Sequence, residues 1–417
     1  MYETMQIIIP VFFIFTVNAV VNTYLPIILA YVGYDIAKIG VLLSIFDFTG
    51  TFAALPCIYL IEKRNKYGVD LFFILLPCIL LPVPIITVHN FLFSALFMGV
   101  YSIGYKCMFP VSDTVINNIL IGRYNDYGKV RAIGSLSFVL MNIVMQIFLS
   151  GRDANSFEMI LWMTIPAVLT AASLFFVPGL MPPLFVKKTE QKNNIKGETA
   201  DGAKKVRHAI SVLVVKKHPF LLSSLVSGFS ASFWAAMVLL IFAFLAMSPI
   251  NKFFSLYVTE FLNLNSAPAF WAVHAAVEIP AMIFSGRFIR RFGNEKILCL
   301  CVLAISFRLW TYILFKSFAG ALAGQFLNYF TFGLFHPAAI SFIAEHVPSK
   351  KQVTGLALYA IGANGVGNIL GSFAGGIIIE KFGFPTLFLW ASFLPPLAVV
   401  LFMHLKKKGS CFDGGTC

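Results

Sequence analysis

Long apolar runs separated by short polar turns fill most of this chain. A bilayer core of about 30 Å needs roughly 20 apolar residues in each helix that crosses it. Twelve runs reach or approach that length, at residues 5–31, 37–61, 70–88, 91–121, 131–150, 157–180, 219–248, 266–289, 296–315, 318–346, 352–379 and 384–405. Pro249 interrupts the seventh run, which we therefore end at residue 248. The pattern predicts an all-α membrane protein with twelve transmembrane helices.

The longest polar segment lies between the sixth and seventh runs and divides the chain into near-equal halves. We predict an N-terminal six-helix bundle at 1–181, a cytoplasmic linker at 182–218, a C-terminal six-helix bundle at 219–405 and a cytoplasmic tail at 406–417. A basic turn that ends in Gly follows both the second and the eighth run. Because internal duplication of this kind is common in membrane transport proteins, we expect two pseudo-symmetric bundles.

The charged residues indicate an orientation in the membrane rather than a nucleic-acid partner. Only 12% of the residues are charged and 59% are hydrophobic, which is too little charge to cover a soluble protein of this length. The net charge of +13 comes mainly from Lys and Arg in short loops on one side of the predicted bundle. The loops of the other side hold only Lys38, Arg152, Lys252, Lys316 and Lys381. The positive-inside rule then predicts a multi-pass protein of the inner (plasma) membrane, with both termini in the cytoplasm.

No catalytic or cofactor motif appears in the sequence. There is no phosphate-binding Gly-Lys loop, no His-Glu-x-x-His and no Gly-x-Ser-x-Gly element. The seven cysteines include no Cys-x-x-Cys pair, so neither a metal site nor a disulfide framework is indicated. We therefore expect no enzyme activity and no cofactor. The expected partners are a small-molecule substrate, protons and the lipid bilayer, and the chain is expected to act as a monomer.

Charged residues inside the apolar runs are few, and they are the candidates for function. A charge at the bilayer centre costs several kcal/mol, so each one is expected to face a partner or water. These charges are Asp47 in the second run, Lys106 and Asp113 in the fourth, Glu278 in the eighth and Arg308 in the ninth.

The fourth and fifth runs carry a candidate charged pair. Lys106 and Asp113 are seven residues apart, so they share one face of their helix. Arg131 opens the fifth run at the same end of the bundle as Asp113. The carboxylate and the guanidinium are able to pair across the two helices, either as a binding site or as a structural salt bridge.

The eighth run carries the candidate proton site. His274 precedes Glu278 by one helical turn, so the two side chains are able to share a proton. Burial favours the neutral form of a carboxyl group, which suits reversible protonation. Arg308 on the next helix offers the alternative, in which it holds Glu278 in a fixed ion pair. Asp47 is the second candidate for carrying the proton.

A stripe of small residues marks the eleventh run. Ala363, Gly367, Gly371 and Gly375 recur every four residues on one face of the helix. Small residues at this spacing let two helices approach closely, so we expect the stripe to serve static helix packing.

The segment from Pro110 to Phe138 resembles the region of helices four and five in the major facilitator superfamily. The resemblance is strongest to the branch that contains lactose permease and the phenylpropionate permeases. It is carried by Pro110, Asp113, Tyr127, Gly128, Lys129, Arg131, Gly134 and Ser135. It implies that Asp113 and Arg131, eighteen residues apart, form a charged pair that binds substrate.

The C-terminal half resembles the phenylpropionate permeases, with Glu278 and Arg308 in register. Where lactose permease has a Lys, a His and a Glu on helix ten, this chain has Gln325, Asn328 and Thr331. The proton-carrying Glu of that permease is therefore missing, and Glu278 becomes the first choice for the role. Phe138 stands where lactose permease has a Trp that stacks on its sugar.

The resemblance implies alternating access by rocking of the two halves, and we expect a proton-coupled symporter of a small organic solute. Lys106, Arg131 and Arg308 suit a carboxylate, which favours an organic or aromatic acid. Phe138 and Asn328 complete the predicted substrate site. Two alternatives remain open: a saccharide or nucleoside symporter, and a non-transporting membrane sensor with the same fold.

Overall fold

The computed structural model describes residues 2–64, 67–119, 124–149, 155–177, 229–348 and 351–412. Within these ranges the chain is almost entirely helical and has no strand. The predicted linker at 182–218 lies outside the described residues. The described residues form twelve helices, α1 to α12, six in each half of the chain.

The helices of the N-terminal half are Tyr2–Tyr31 (α1), Ile36–Phe48 continued by Ala54–Arg64 (α2), Tyr67–Leu80 continued by Pro82–Thr87 (α3), Phe91–Ile119 (α4), Tyr124–Leu149 (α5) and Ser156–Ser173 (α6). Those of the C-terminal half are Ala231–Leu256 (α7), Ala267–Phe292 (α8), Asn294–Leu314 (α9), Phe318–Phe326 continued by Phe335–His346 (α10), Gln352–Leu358 continued by Val366–Phe382 (α11) and Phe384–Phe412 (α12). Short π-helical turns lie between the two parts of α2, α10 and α11, and another extends α7.

Length and composition make these helices membrane spans. Within the described chain, eleven helices are long and apolar enough to cross a bilayer, and α5 adds a shorter apolar stretch, Ala132–Phe148. Large apolar side chains such as Phe307 and Phe393 are exposed, as expected of a surface that faces lipid. The prediction of an all-α protein with twelve transmembrane helices is confirmed.

The seventh helix differs from the prediction. α7 begins at Ala231 and continues past Pro249 to Leu256, and a π-helical turn carries it on to Phe261. A proline inside a transmembrane helix is tolerated because neighbouring groups satisfy the backbone carbonyl that it leaves unpaired. Lys252 therefore lies in the membrane-spanning part of α7, and its assignment to a loop was wrong.

Successive helices run in opposite directions, so the bundle has two ends. We call the end where α1 begins and α12 finishes the terminal face. The opposite end, which carries the loop at residues 32–35, is the distal face. The location of the terminal face in the cytoplasm stays a prediction.

The two halves meet most closely where α2 crosses α11 near the distal face. A methyl group on Gly40 would lie 2.6 Å from the Ser372 carbonyl oxygen and 2.8 Å from Gly376 Cα. Only glycine permits such a close approach of two backbones. A second contact joins α5 to the loop before α8, where Gln146 Nε2 donates to the Asn265 carbonyl oxygen at 2.9 Å. Both contacts lie on the distal side of the space between the halves.

The small-residue stripe of α11 packs within its own half. Methyl groups added at Gly367 and Gly375 would meet Phe244 and Phe253 of α7. The stripe therefore permits close packing of α7 against α11, while the neighbouring Gly376 serves the contact with α2.

Candidate functional site

A cavity of about 280 Å³ lies between the two halves, with walls from four helices of each. We call it the central cavity. Its lining side chains are Phe15, Asn18, Asn22, Asp47, Lys106, Ser135, Phe138, Asn251, Lys252, Trp271, His274, Ala275, Glu278, Phe332 and Asn368. Charged, amide and aromatic groups thus converge inside the membrane, where polar residues indicate a functional site.

A larger cavity of about 500 Å³ lies between α1, α5 and α6. Its walls are mostly apolar, with Phe148 and Trp162 among them, and Glu158 is the one charged residue that lines it. This cavity lacks the set of converging polar groups that orients a solute. The central cavity is therefore the candidate functional site.

One wall of the central cavity holds a carboxylate between two ammonium groups. Asp47 Oδ2 lies 2.6 Å from Lys252 Nζ, and Asp47 Oδ1 lies 3.5 Å from Lys106 Nζ. Asp47 is 2% exposed, whereas the side chains of Lys252 and Lys106 are 15% and 36% exposed. We call these three residues the Asp47 cluster. Because Lys252 belongs to the C-terminal half, the shorter of the two ion pairs joins the two halves.

Aromatic rings position Lys106 along this wall. Its Nζ lies 5.9 Å from the ring centre of Phe46 and 6.0 Å from that of Tyr105, within the range of cation–π interactions. The Tyr105 hydroxyl donates to Asn18 Oδ1 at 2.5 Å, and Asn22 Nδ2 donates to the same oxygen at 2.6 Å. Lys106 is thus held by its neighbours while a third of its side chain stays accessible.

The opposite wall is backed by a buried guanidinium, that of Arg308, which is 1% exposed. Its nitrogens lie 2.7 to 3.2 Å from side-chain atoms of Asn328, Thr331, Gln325, His274 and Tyr312. We call these residues together with Glu278 the Arg308 cluster. A buried charge requires hydrogen-bond partners, and here neutral side chains of the same half supply them.

Glu278 is connected to Arg308 through two bridging side chains. Asn328 Oδ1 accepts from Arg308 Nη1 at 2.7 Å, and Asn328 Nδ2 donates to Glu278 Oε1 at 2.6 Å. His274 Nδ1 lies 3.1 Å from Arg308 Nη2, and its Nε2 lies 3.2 Å from Glu278 Oε1. The direct ion pair of Glu278 with Arg308, which the sequence left open, is therefore replaced by an indirect connection.

These contacts allow two protonation arrangements that differ by one proton. In the first, His274 Nδ1 accepts from Arg308, and Nε2–H donates to an ionised Glu278. In the second, Nδ1–H donates to Gln325 Oε1, which lies 2.9 Å away, and one proton is shared by Nε2 and Glu278. The pair of His274 and Glu278 thus has hydrogen-bond partners in either arrangement.

Comparison with known proteins agrees with two six-helix halves around a polar cavity. The sequence profile of the MFS_1 like family matches residues 5–390. The chain belongs to the MFS_1 like family. Members of the major facilitator superfamily are transporters, and we describe the chain as a major facilitator transporter from here on.

Individual relatives of this transporter are also transport proteins. The uncharacterized transporter YwbF of Bacillus subtilis is 25% identical over 307 residues, which cover 72% of this chain and 67% of the relative. A maltose permease of Geobacillus stearothermophilus is 24% identical over 305 residues, which cover 72% and 68%. The crystal structure of the nucleoside transporter NupG superimposes with a TM-score of 0.77 at 15% identity, covering 98% of this chain and all of NupG. At that identity, the likeness to NupG shows the shared fold.

Five of the nine predicted site residues of this transporter line the central cavity, namely Asp47, Lys106, Phe138, His274 and Glu278. Arg308 and Asn328 lie behind the wall and are buried. They hold His274 and Glu278 in position, so they contact the lining residues and not the cavity itself in this structure.

The predicted pair of Asp113 and Arg131 stays a prediction. Asp113 is half-buried on α4, two helical turns beyond Lys106. The side chain of Arg131 lies outside the described residues. Lys106, which shares a face of α4 with Asp113, contacts Asp47.

Sequence reasoning missed Lys252 and Trp271 as residues of the site. Lys252 was assigned to a loop because the seventh run was ended before Pro249. The signal that identifies it is the apolar stretch Phe253–Val258 that follows, since a lone charge within an apolar helix is expected to be buried with a partner. Trp271 precedes His274 by three residues and so lies on the same face of α8.

Proposed function

We propose that this transporter carries a small organic acid across the membrane together with a proton. The observation that carries the proposal is the charge of the Asp47 cluster, in which two ammonium groups share one carboxylate beside the central cavity. On the opposite wall, Arg308 and Glu278 balance each other. The described charged side chains around the cavity therefore sum to one positive charge, which is available to an anion. An ammonium group also donates a strong hydrogen bond to a carboxylate.

Aromatic rings near that charge favour an acid with an apolar or aromatic body. Phe138 lies on the N-terminal side of the cavity and Trp271 on the C-terminal side. The Trp271 indole is fixed, because its Nε1 donates to Ser255 Oγ at 2.9 Å and its ring centre lies 4.7 Å from that of His274. The two rings give the cavity wall an aromatic surface beside its charged groups.

In this proposal the coupled proton binds between His274 and Glu278. An anion and a proton together add no net charge, so the loaded cavity holds the same total charge as the empty one. This limits the cost of moving charge through a low-dielectric interior. Asp47 suits the role less well, because both of its oxygens already contact ammonium groups.

A neutral polar substrate, a saccharide or nucleoside, is the second candidate. The observation in its favour is a group of side-chain amides around the cavity, which suits hydroxyl groups: Asn18, Asn22, Asn251 and Asn368. The relatives named above include a maltose permease and a nucleoside transporter. The surplus positive charge has no role in binding such a solute, which is why we place the acid first.

Accumulation in liposomes tests the proposal. The full-length protein is reconstituted, a proton gradient is imposed into the vesicle, and uptake of labelled benzoate and other monocarboxylates is compared with that of maltose and uridine. Because the neutral form of a weak acid crosses a bilayer unaided, we expect an acid to accumulate faster than in protein-free liposomes under the same gradient, and a protonophore to abolish the difference. Accumulation of maltose or uridine, with no accumulation of any acid, would establish the second candidate. Uptake that is equal with and without the proton gradient would contradict proton coupling.

A pair of lysine variants tests the role of the surplus charge. Lys106→Met removes one of the two ammonium groups of the Asp47 cluster, and we expect roughly ten- to hundredfold weaker binding of the acid, because a single cation is then left for two carboxylates. Lys38→Met is the matched control, since Lys38 is exposed near the distal face and pairs with Asp35. Equal affinities of the two variants would contradict the assignment of the anion to this wall.

A further inference from the structure

The ion pair of Lys252 with Asp47 joins the two halves at the edge of the central cavity. We propose that Lys252 exchanges partners, binding Asp47 while the cavity is empty and the carboxylate of the substrate when the cavity is loaded. The proposal rests on the proposed transport of an organic acid. Its consequence is that the substrate itself releases a contact between the halves on the distal side.

The geometry of the pair places it where a substrate can reach it. Lys252 Nζ lies 2.6 Å from Asp47 Oδ2 across the interface between α7 and α2. The Lys252 side chain is 15% exposed and lines the central cavity, whereas Asp47 is almost wholly buried. A carboxylate in the cavity therefore has access to the cation of this pair, and the anion remains shielded.

Asp47 lies within a row of contacts that α2 makes with the C-terminal half. Gly40, Ser44 and Asp47 are spaced four and three residues apart, so they share one face of α2. Gly40 packs against Gly376, and the Ser44 hydroxyl donates to the Ile369 carbonyl oxygen at 2.8 Å. Thr51 continues the row one turn further, since a methyl group on Gly365 would lie 2.9 Å from Thr51 Cγ2. The pair of Asp47 with Lys252 thus lies on the face of α2 that packs against the C-terminal half.

The two lysines of the Asp47 cluster differ in one decisive respect. Lys106 and Asp47 belong to the same half, so their contact does not hold the halves together. Among the described residues, Lys252 is the one charged side chain of the C-terminal half that contacts the cluster, and the Ser372 hydroxyl adds a longer hydrogen bond of 3.5 Å to Asp47 Oδ2.

The charge count makes the exchange energetically acceptable. An empty cluster has two cations and one anion, and a substrate carboxylate raises the number of anions to two. Lys252 can then pair with the substrate while Asp47 keeps Lys106. Breaking a buried ion pair is costly because it leaves a buried charge without a partner. In this exchange every buried charge keeps a partner, so that cost is avoided.

Distance measurements between the halves test this without any ligand. Spin labels are placed at Thr87→Cys and Lys316→Cys, two exposed positions near the distal face on opposite halves, after replacement of the seven native cysteines. We expect Lys252→Met to shift the distance distribution of the full-length protein in liposomes to longer values. Lys106→Met, the matched control, should keep the parent distribution, and Lys252→Arg, which preserves the charge, should restore it.

A Lys252→Met distribution that matches the parent, for protein that elutes as a single folded species, would overturn the proposal. So would a Lys106→Met distribution that shifts as far as that of Lys252→Met, because the contact within one half would then matter equally.

Addition of an acid tests the exchange itself. With benzoate, or another monocarboxylate that the uptake assay selects, we expect the parent distribution to shift towards that of Lys252→Met and the variant to show no further shift. If Lys252→Met is shifted but an acid that is transported leaves the parent distribution unchanged, the exchange fails and the proposed function stands; if no acid is transported in the uptake assay, the proposed substrate class fails. If an acid is transported while Lys252→Met keeps the parent distribution, the exchange fails and the proposed function stands.

Discussion

The Asp47 cluster and the Arg308 cluster bring charges to the same cavity in two different ways. In the Asp47 cluster a carboxylate contacts two ammonium groups directly, and one of these contacts crosses between the halves. In the Arg308 cluster the described contacts stay within the C-terminal half, and neutral side chains separate the guanidinium from Glu278.

This difference indicates which charges are able to change partners during transport. Lys252 is partly accessible and gives up one contact when it leaves Asp47. Arg308 is inaccessible, and its departure would break several buried hydrogen bonds. We therefore expect the Arg308 cluster to be a fixed support, and the Asp47 cluster to be the one that rearranges.

The largest effect that this comparison predicts is the loss of folded protein on Arg308→Met. Removal of the guanidinium leaves Asn328 Oδ1 with the 3.3 Å contact from Thr331 Oγ1, Gln325 Oε1 with the contact to His274 Nδ1, and Glu278 without its indirect counter-charge. Breaking a buried charged network from one side costs about 3–5 kcal/mol. Expression yield and the melting temperature in detergent measure the loss. Lys106→Met, at the accessible edge of the other cluster, is the control and should melt close to the parent.

The next largest effect is expected on the coupling of substrate transport to the proton gradient, and Glu278→Gln tests it. The amide keeps an oxygen that accepts from Asn328 and His274, so the variant should fold. It no longer carries a proton, so we expect exchange of substrate down its gradient to continue and accumulation driven by a proton gradient to stop. The pH dependence of substrate affinity should disappear with it. A variant that still accumulates substrate would move the proton site to another carboxylate, and Asp47 is the next to test.

The membrane spans could be predicted from the sequence because each needs a long apolar run, whatever its neighbours are. The end of α7 could not, because Pro249 and Lys252 are typical of a loop when they are considered alone. Only the buried carboxylate of Asp47, 205 positions earlier in the chain, explains why a lysine is tolerated there.

The sequence shows which buried residues are charged, but it does not show which residues they contact. Helical spacing shows that Lys106 and Asp113 share a face of α4, but it does not show which helix that face meets. Gly50 permits the approach of α4, since a methyl group there would overlap the Lys106 side chain. The Ser102 hydroxyl then donates to the Phe46 carbonyl oxygen of α2. Local packing of this kind brings Lys106 to Asp47.

A smaller effect is predicted for the contact between α2 and α11 on the distal side of the Asp47 cluster. Gly40→Ala places a methyl group 2.6 Å from the Ser372 carbonyl oxygen, so α2 must move away from α11. Overpacking of this kind costs about 1–3 kcal/mol. We expect a lower melting temperature and a longer distance between labels at Thr87→Cys and Lys316→Cys.

Gly286→Ala serves as the control for that substitution. A methyl group at Gly286 would meet only Arg290 Nη1, at 3.6 Å, so the variant should be as stable as the parent or slightly more stable. If Gly40→Ala behaved like Gly286→Ala in both measurements, the close crossing of α2 and α11 would not hold the distal side closed.

The smallest effect is predicted for an exposed ion pair, which contrasts with the buried one of Asp47. Asp35 caps α2: its Oδ1 accepts from the Lys38 backbone N–H at 2.8 Å, and its Oδ2 lies 2.7 Å from Lys38 Nζ. The side-chain hydrogen bond from Lys38 holds the pKa of Asp35 below its ordinary value. The ionised form is therefore the one that stabilises the fold. Its contribution is present above the ordinary pKa of about 3.9 and is lost as the pH falls through the lower pKa of the folded state.

Two substitutions separate the cap from the charge. Asp35→Asn keeps an oxygen that caps the helix, so its melting temperature at neutral pH should fall only slightly, because exposed ion pairs contribute little. Asp35→Ala removes the cap as well and should cost about 1 kcal/mol. As the pH falls from about 4 through the lower pKa of the folded state, the parent should approach Asp35→Asn, because the Asp35 side chain becomes neutral as well. A gap between parent and Asp35→Asn that stays constant from neutral pH down through that range would show that the Asp35 charge does not stabilise α2.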